Sequence, residues 1–355
     1  MSKALIAMSG GVDSSVAAYL MKQAGYDCIG VTMRLFTNEE AAIPREKSCC
    51  SVEDTEDARA VAFKLGFPYY VFNFTDDFRA KVIDPFIRAY ETGRTPNPCI
   101  DCNRYLKFES LYRRAQALDC DYIVTGHYAS IEEKNGRMLL KKAADPSKDQ
   151  SYVLYSLTQE QLRHTVFPLG NMQKTETRDI AARLGLINAD KKDSQDICFV
   201  PDGDYAAVLQ NLTGKIYPEG DIKDKNGNIL GRHHGIIHYT MGQRRGIGLA
   251  MPEPVYVTGI LPEENTIIVG SDEDLFTREL FAEDFNWIAY DTPPKNLRAK
   301  ARIRYKQAEK DATVNVTADG RVHIVFDTPV RAVTKGQAAV LYDDGGYVLG
   351  GGTIC

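Results

Sequence analysis

Over the first 200 residues, short apolar runs alternate with stretches whose apolar positions recur every three or four residues. Residues 4–8 read as an apolar strand, and 14–23 as a helix that Gly25 closes. Residues 28–36 form the next β-rich run, and SVED at 51–54 has the form of a capping box opening a helix that ends near Gly66. Residues 69–74 predict a third strand, 76–90 and 105–118 helices, and 122–125 a fourth strand. Strands alternating with helices require crossovers of one hand, so the pattern predicts an α/β doubly wound parallel sheet. Asn135-Gly136 between β-rich flanks marks a hairpin, and helical spacing returns over 174–184.

After Cys198 the texture changes. Short strands at 236–239, 255–260 and 266–269 are divided by Gly, Pro and Asn-Gly turns, with a break at 271–280. Three domains follow: an α/β domain over 1–200, a small central β-rich domain over 201–275, and a second β module over 276–355 with a barrel expected.

Composition narrows the reading. At 355 residues and 44% apolar content the chain can bury several cores, and nowhere do eighteen apolar residues run together. Gly10, Gly11 and Asp13 interrupt the N-terminal apolar run before a signal sequence could form, so a cytoplasmic protein with no membrane partner is expected. A net charge of −5 gives no global nucleic-acid signal and none for DNA; any RNA contact must be local. The eight cysteines (28, 49, 50, 99, 102, 120, 198, 355) include one C-x-x-C spacing, which points to thiol chemistry or metal ligation rather than a disulfide framework.

SGGVDSS at 9–15 lies between the first strand and the first helix, where an α/β fold collects phosphates on helix amides. Gly10 and Gly11 permit close backbone approach, the serines offer hydroxyls, and Asp13 is a candidate Mg²⁺ ligand. The lysine of a Walker A loop and the spacing of G-x-G-x-x-G are both missing. The plain alternative is a Gly turn with a polar cap. In sequence, however, the stretch resembles the PP-loop of ATP pyrophosphatases, which adenylate a carbonyl oxygen and release pyrophosphate.

The resemblance then narrows to one family. AMSGGVDSS at 7–15, CCS at 49–51, GRTPNPCIDCN at 93–103, TGHYA at 125–129, KDQSYVLY at 148–155, KDSQDICF at 192–199, YTMGQRRGIGL at 239–249, RYKQ at 304–307 and GQAAVLYDDGGYVLGGGTI at 336–354 are similar to the tRNA-specific 2-thiouridylases. It covers the whole chain in order. It implies a PP-loop domain, a small central domain and a C-terminal β-barrel. It also implies that ATP adenylates O2 of the wobble uridine (position 34) in a tRNA anticodon stem-loop, after which sulfur displaces AMP.

By position, the resemblance assigns ATP binding to Ala7, Met8, Ser9, Gly10, Gly11, Val12, Asp13, Ser14, Met33 and Gly126. It makes Cys102 the nucleophile and Cys198 the persulfide carrier, fed by an upstream sulfur donor or by sulfide. It gives tRNA contacts to Asn97, Pro98, Cys99, Lys148, Asp149, Gln150, Arg304 and Tyr305. Cys28 and Cys120 read as core, Cys355 as inert, Cys49 and Cys50 as near the active site, and His127 as either structural or catalytic. Residues 37–50 and the region around 190–205 are the candidates for segments that order only when tRNA binds.

Many family members carry Asp where this chain has Cys99. Cys99, Cys102 and Cys198 are then either ligands of a [4Fe–4S] cluster with an open iron, or a Cys102–Cys198 thiol pair beside a bystander. Arg298, Lys300, Arg302, Arg304 and Lys306 alternate with apolar residues, so one strand running through them would align five cations on a face toward RNA. The alternative is a solvated barrel face.

Overall fold

A computed structural model describes residues 1–36, 52–191, 193, 197–200 and 203–355. The first domain is built on β1 (Lys3–Ala7), β2 (Asp27–Arg34), β3 (Tyr69–Asn73), β4 (Tyr122–Val124), a β5–β6 hairpin (Ser130–Lys134, Arg137–Lys141) and β7 (Thr165–Val166). Five of these form one parallel sheet in the order β3-β2-β1-β4-β7. Ala4, Leu5 and Ile6 are all fully buried, because helices cover both faces. Ala4 and Ile6 join one core and Leu5 the other, as a two-residue period requires. The expected doubly wound parallel sheet is present.

Helix α1 (Val12–Gln23) follows β1, and α2 (Val52–Leu65) precedes β3. Ser51, the first residue of the expected capping box, lies outside the described residues. Helical structure begins at Pro98, seven residues before the expected start: Asn97 caps it by accepting the Cys99 amide at 3.2 Å, and Pro98 takes the first turn. It continues as a π-helical stretch, Cys102–Ser110, and an α-helix, Leu111–Ala117.

The central domain pairs β8 (Gly220–Asp224), β9 (Ile229–His233), β10 (Tyr256–Leu261) and β11 (Thr266–Gly270) in the order β10-β11-β8-β9. Two of its three expected strands are found. The third expectation, at 236–239, is corrected to a 3₁₀ turn, Ile236–His238, that buries Ile237 and Tyr239 without pairing. The last domain is a closed barrel of β12 (Phe276–Trp287), β13 (Leu297–Arg302), β14 (Lys310–Val316), β15 (Val322–Arg331), β16 (Ala338–Tyr342) and β17 (Val348–Ile354), as the sequence led us to expect.

The barrel is fastened to the first domain. The Asn286 amide donates to the carbonyls of Tyr155 and Leu157 (2.7 and 3.0 Å), and the buried Tyr152 hydroxyl donates to Ala338 O (2.9 Å). Lys335 O accepts the Thr95 amide at 2.9 Å and Gln337 donates to Thr95 O at 2.8 Å. The barrel thereby fixes the strand of chain that leads into Cys99 and Cys102.

Candidate nucleotide crevice and thiol site

The sheet order reverses between β1 and β4, since β2 and β3 lie on one side of β1 and β7 lies beyond β4. In open α/β sheets ligands bind outside the C-terminal strand ends at that reversal. Met8 to Gly11 leave β1 there and Thr125 to His127 leave β4 opposite, with Met33 near the same end of β2. Gly126 lies flat on the loop: a Cβ on it would stand 2.8 Å from Asp13 C and Ser14 N. Gly10, at φ +73°, would drive a Cβ to 2.3 Å from Asp54 O, so only glycine fits.

The loop is closed on itself. Ser14 Oγ accepts the Ser9 amide (3.2 Å) and donates to Gly11 O (3.0 Å). Asn188, which nothing in its sequence surroundings marks, donates to Gly10 O (2.8 Å) and Ser15 Oγ (2.9 Å). Gly11 is the N-cap of α1 and offers no side chain to its first amides, so they are left to meet an anion.

Asp13, read from sequence as a candidate Mg²⁺ ligand, is already engaged. Lys174 Nζ reaches its two carboxylate oxygens at 2.6 and 2.8 Å, and the Tyr128 hydroxyl donates to it at 2.9 Å. Lys174 also meets Asp193 at 2.8 Å, and Asp193 is held by Lys148 (2.8 Å) and Arg178 (2.9 Å). Asp145, which accepts the Lys174 amide at 3.0 Å and also acts on Lys148, is the third carboxylate, so three cations balance three acids in this half-buried cluster. Burial works to raise the Asp193 carboxyl, but the bonds from Lys148 and Lys174 outweigh it and hold the group at about 2. Lys174 begins the helix Lys174–Arg183, over 150 residues from the loop, and so escaped sequence reading.

Cys99 and Cys102 open the helical run, Cys99 exposed and Cys102 half-buried. Surrounding protein pushes the Cys99 thiol up, against the opposing charge of Lys107. Burial raises Asp101 to about 6, with Arg104 lowering it and Asp284 raising it. Cys102, Ile197 and Cys198 pack against the same core. Among the described residues no three His, Cys, Asp or Glu side chains converge as a metal site. Cys99, Cys102 and Cys198 are not among any such group of described residues. Cys28 and Cys120 are core residues and Cys355 donates to Phe281 O, while Cys49 and Cys50 lie outside the described residues.

His127 is buried, shares a 2.7 Å hydrogen bond with Thr125 through Nδ1, and packs on Phe108 and Phe167. Burial, then the charge of Lys107, keeps it neutral well below the usual histidine range. This is the environment of a structural histidine.

The residues matched to tRNA contacts differ in what they leave for RNA. Asn97 and Pro98 cap the cysteine helix. Asp149 is buried, accepting the Ala143 and Ser151 amides at 3.2 Å, and Gln150 accepts the Tyr128 amide at 2.9 Å. Arg304 gives Nη2 to Met241 O, Ala332 O and Thr334 Oγ1, and the Tyr305 hydroxyl donates to Asp149 O at 3.3 Å. The expected five-cation strand is also corrected: β13 ends at Arg302, and Arg304 and Lys306 lie in the following turn. Its three cations pair with Asp327, Asp344 and Asp149 at 2.7, 2.8 and 3.3 Å.

Comparison with known proteins agrees with this architecture. A family profile described as the tRNA methyl transferase HUP domain matches residues 2–202; the PRC-barrel domain of the same name matches 207–271, and an aminomethyltransferase beta-barrel domain matches 277–354. Among curated relatives, the tRNA-specific 2-thiouridylase MnmA of Clostridioides difficile (strain 630) is 51% identical over 354 residues, 99% of this chain and 98% of that one. The protein of the same name from Lachnoclostridium phytofermentans is 50% identical over 356 residues, spanning 100% and 99%. That of Clostridium botulinum (strain Alaska E43 / Type E3) is 49% identical over 352 residues, spanning 99% and 97%.

Proposed function

The chain belongs to the tRNA-specific 2-thiouridylase family, and from that premise we propose how its parts divide an ATP-dependent exchange of oxygen for sulfur on a tRNA uridine. The observation that carries the reading is the SGGVDS loop at the reversal point of a parallel sheet, with its helix amides uncapped.

The O2 of the wobble uracil attacks the α-phosphate of ATP, and the bond to the β-phosphate breaks. Pyrophosphate departs onto the Ser9 to Ser14 loop, where amides meet its charge. Lys174 supplies the cation that the loop itself lacks. Asp13, engaged by Lys174 and Tyr128, would hold a Mg²⁺ ion only by sharing its carboxylate with them, and the ion would neutralise charge on the ATP phosphates.

Sulfur then replaces the activated oxygen. The terminal sulfur of a Cys198 persulfide attacks C2, the C2–O bond breaks, and AMP leaves. Cys102 as thiolate attacks Cys198 Sγ and breaks the S–S bond to the base, releasing 2-thiouridine and leaving a Cys102–Cys198 disulfide for an external thiol to reduce. No step runs through iron. The Cys198 thiolate takes the outer sulfur of a donor protein's persulfide and leaves the donor's own cysteine as thiolate, in the cytoplasm where ATP and tRNA are available.

The test is 2-thiouridine formation from ATP, a persulfide donor and unmodified tRNA, with iron quantified in protein purified without oxygen. Iron-free protein is expected to be active. Cys198→Ser is expected to lose thiolation while binding tRNA within about twofold of wild type, because a serine hydroxyl carries no transferable sulfur. Normal thiolation by that variant would remove the thiol route, and activity that tracks bound iron would replace it.

A further inference from the structure

Arg244 and Arg245 stand side by side in the central domain, and no step above uses them. Both are exposed, and among the described residues neither forms an ion pair. The cations of β13 and those around Asp193 differ in this, since each meets an acid. Arg244 and Glu253 line one groove of about 320 Å³ without pairing. On a chain of net charge −5, two adjacent guanidinium groups left unopposed make a local positive site.

The backbone that carries them is fixed on both sides. The Gly242 amide donates to Val257 O (2.8 Å) and the Val257 amide to Gln243 O (2.9 Å), which pins the chain to β10 just before the arginines. The Gln243 side chain spans the turn: its Oε1 accepts the Thr240 amide at 2.9 Å, and its Nε2 donates to Arg245 O at 3.0 Å. Beyond the pair, Ile247 is buried in the central core. Little backbone ordering is left for a partner to impose. The turn is also fastened to the barrel, where Arg304 Nη2 donates to Met241 O at 3.1 Å and a Cβ on Gly242 would stand 2.9 Å from Ala332 Cβ. From Arg304 the contacts run on to the crevice: the Tyr305 hydroxyl donates to Asp149 O at 3.3 Å, and Lys148 pairs with Asp193 beside the phosphate loop at 2.8 Å.

We propose that Arg244 and Arg245 form an RNA-binding surface on the central domain, which holds backbone phosphates of the same tRNA whose uridine reacts in the crevice. This rests on the tRNA reading above. A guanidinium fork matches two oxygens of one phosphate, which an ammonium point charge does not. Contacts of this kind fix orientation and carry no base information. The surface therefore sets how the tRNA lies across the three domains, while choice of the base is left to the crevice. Arg304 serves it at one remove, as the strut between barrel and loop.

Titrations of unmodified tRNA against the full-length Arg244→Ala/Arg245→Ala variant, at several salt concentrations, read this surface directly. The melting temperature should match wild type, because both side chains are exposed. The slope of log affinity against log salt should fall by about 2, one phosphate contact for each arginine, and affinity at the lowest salt by about tenfold. Arg244→Lys/Arg245→Lys keeps the charge and should keep most of the slope. An unchanged slope with affinity within about twofold would overturn the proposal. So would an affinity loss that leaves the slope intact, since shape rather than charge would then be at work. If the alanine variant binds tRNA normally but needs more donor protein for half-maximal thiolation, the surface belongs to a protein partner and the proposal fails. Wild type that shows no affinity for unmodified tRNA would instead defeat the tRNA reading itself, a separate failure.

Discussion

The cations around Asp193 and the cations on β13 carry equal formal charge in opposite settings. Lys148 and a pair from one helix, Lys174 and Arg178, interlock with Asp13, Asp145 and Asp193 beside the phosphate loop, each cation shared among acids from distant parts of the chain. Arg298, Lys300 and Arg302 are sequence neighbours on one barrel face, and each has its own acid. A row of lysines and arginines in a sequence therefore says little about available charge. What matters is the count of acids folded against it and how far water is excluded.

The largest test of this contrast is Lys174→Met. Lys174 is 10% exposed and bridges Asp13 and Asp193, so its loss leaves two carboxylates facing each other. Stability should fall by about 3 kcal/mol, as for a buried pair with one partner removed. Pyrophosphate release should drop at least tenfold, through a looser loop and a lost phosphate cation. Chemical denaturation and pyrophosphate assays measure the two effects; a change below about 1 kcal/mol would place the network on a par with the exposed Arg298–Asp327 and Lys300–Asp344 pairs of β13.

A smaller effect isolates charge from shape. The folded Asp193 carboxyl sits at about 2, below its ordinary 3.8, so its pairing stabilises the protein above the unfolded value and is lost as pH falls through about 2. A shift of that size is worth about 2.5 kcal/mol. Asp193→Asn should cost that much at pH 7, and about half as much at pH 3, in urea unfolding followed at both values. A cost independent of pH would mean that packing, rather than charge, holds this segment.

Local features were legible in the sequence, and remote ones were not. The parallel sheet follows from residues 4–8 and their alternation with amphipathic helices. The hairpin follows from Asn135-Gly136, whose φ values of +53° and +75° are those such a pair adopts readily. The phosphate loop was visible because Gly10, Gly11 and the serines lie within seven residues. Lys174 and Asn188 hold that loop across more than 150 residues, and no local pattern could bring them there. The π-helical turn over Cys102–Ser110 is equally silent, since its residues read as an ordinary helix. The start of the cysteine helix at Pro98 is signalled by Asn97-Pro98, an N-cap followed by proline in the first turn, although the helix was expected only from 105. Alternation on β13 was read correctly over 297–302, with Leu297, Ala299 and Ala301 facing the core. The reading went astray in extending the strand past Arg302 and in treating the cations as unopposed.

The smallest expected effect belongs to Lys300. Its ammonium meets Asp344 at 2.8 Å, but Asp344 is 94% exposed and Lys300 40%, so water and salt screen the pair. Lys300→Ala should change stability by less than about 0.5 kcal/mol. If the Asp344 pairing persists when tRNA binds, tRNA affinity should stay within about twofold and its salt dependence should not change. If tRNA instead draws Lys300 off Asp344 onto a phosphate, the slope of log affinity against log salt should fall by about 1 in the alanine variant. Asp344→Asn would then tighten tRNA binding, because the competing acid is gone. Titrations of both variants at two salt concentrations decide whether β13 is a neutralised barrel face or an RNA surface whose cations wait on acidic partners.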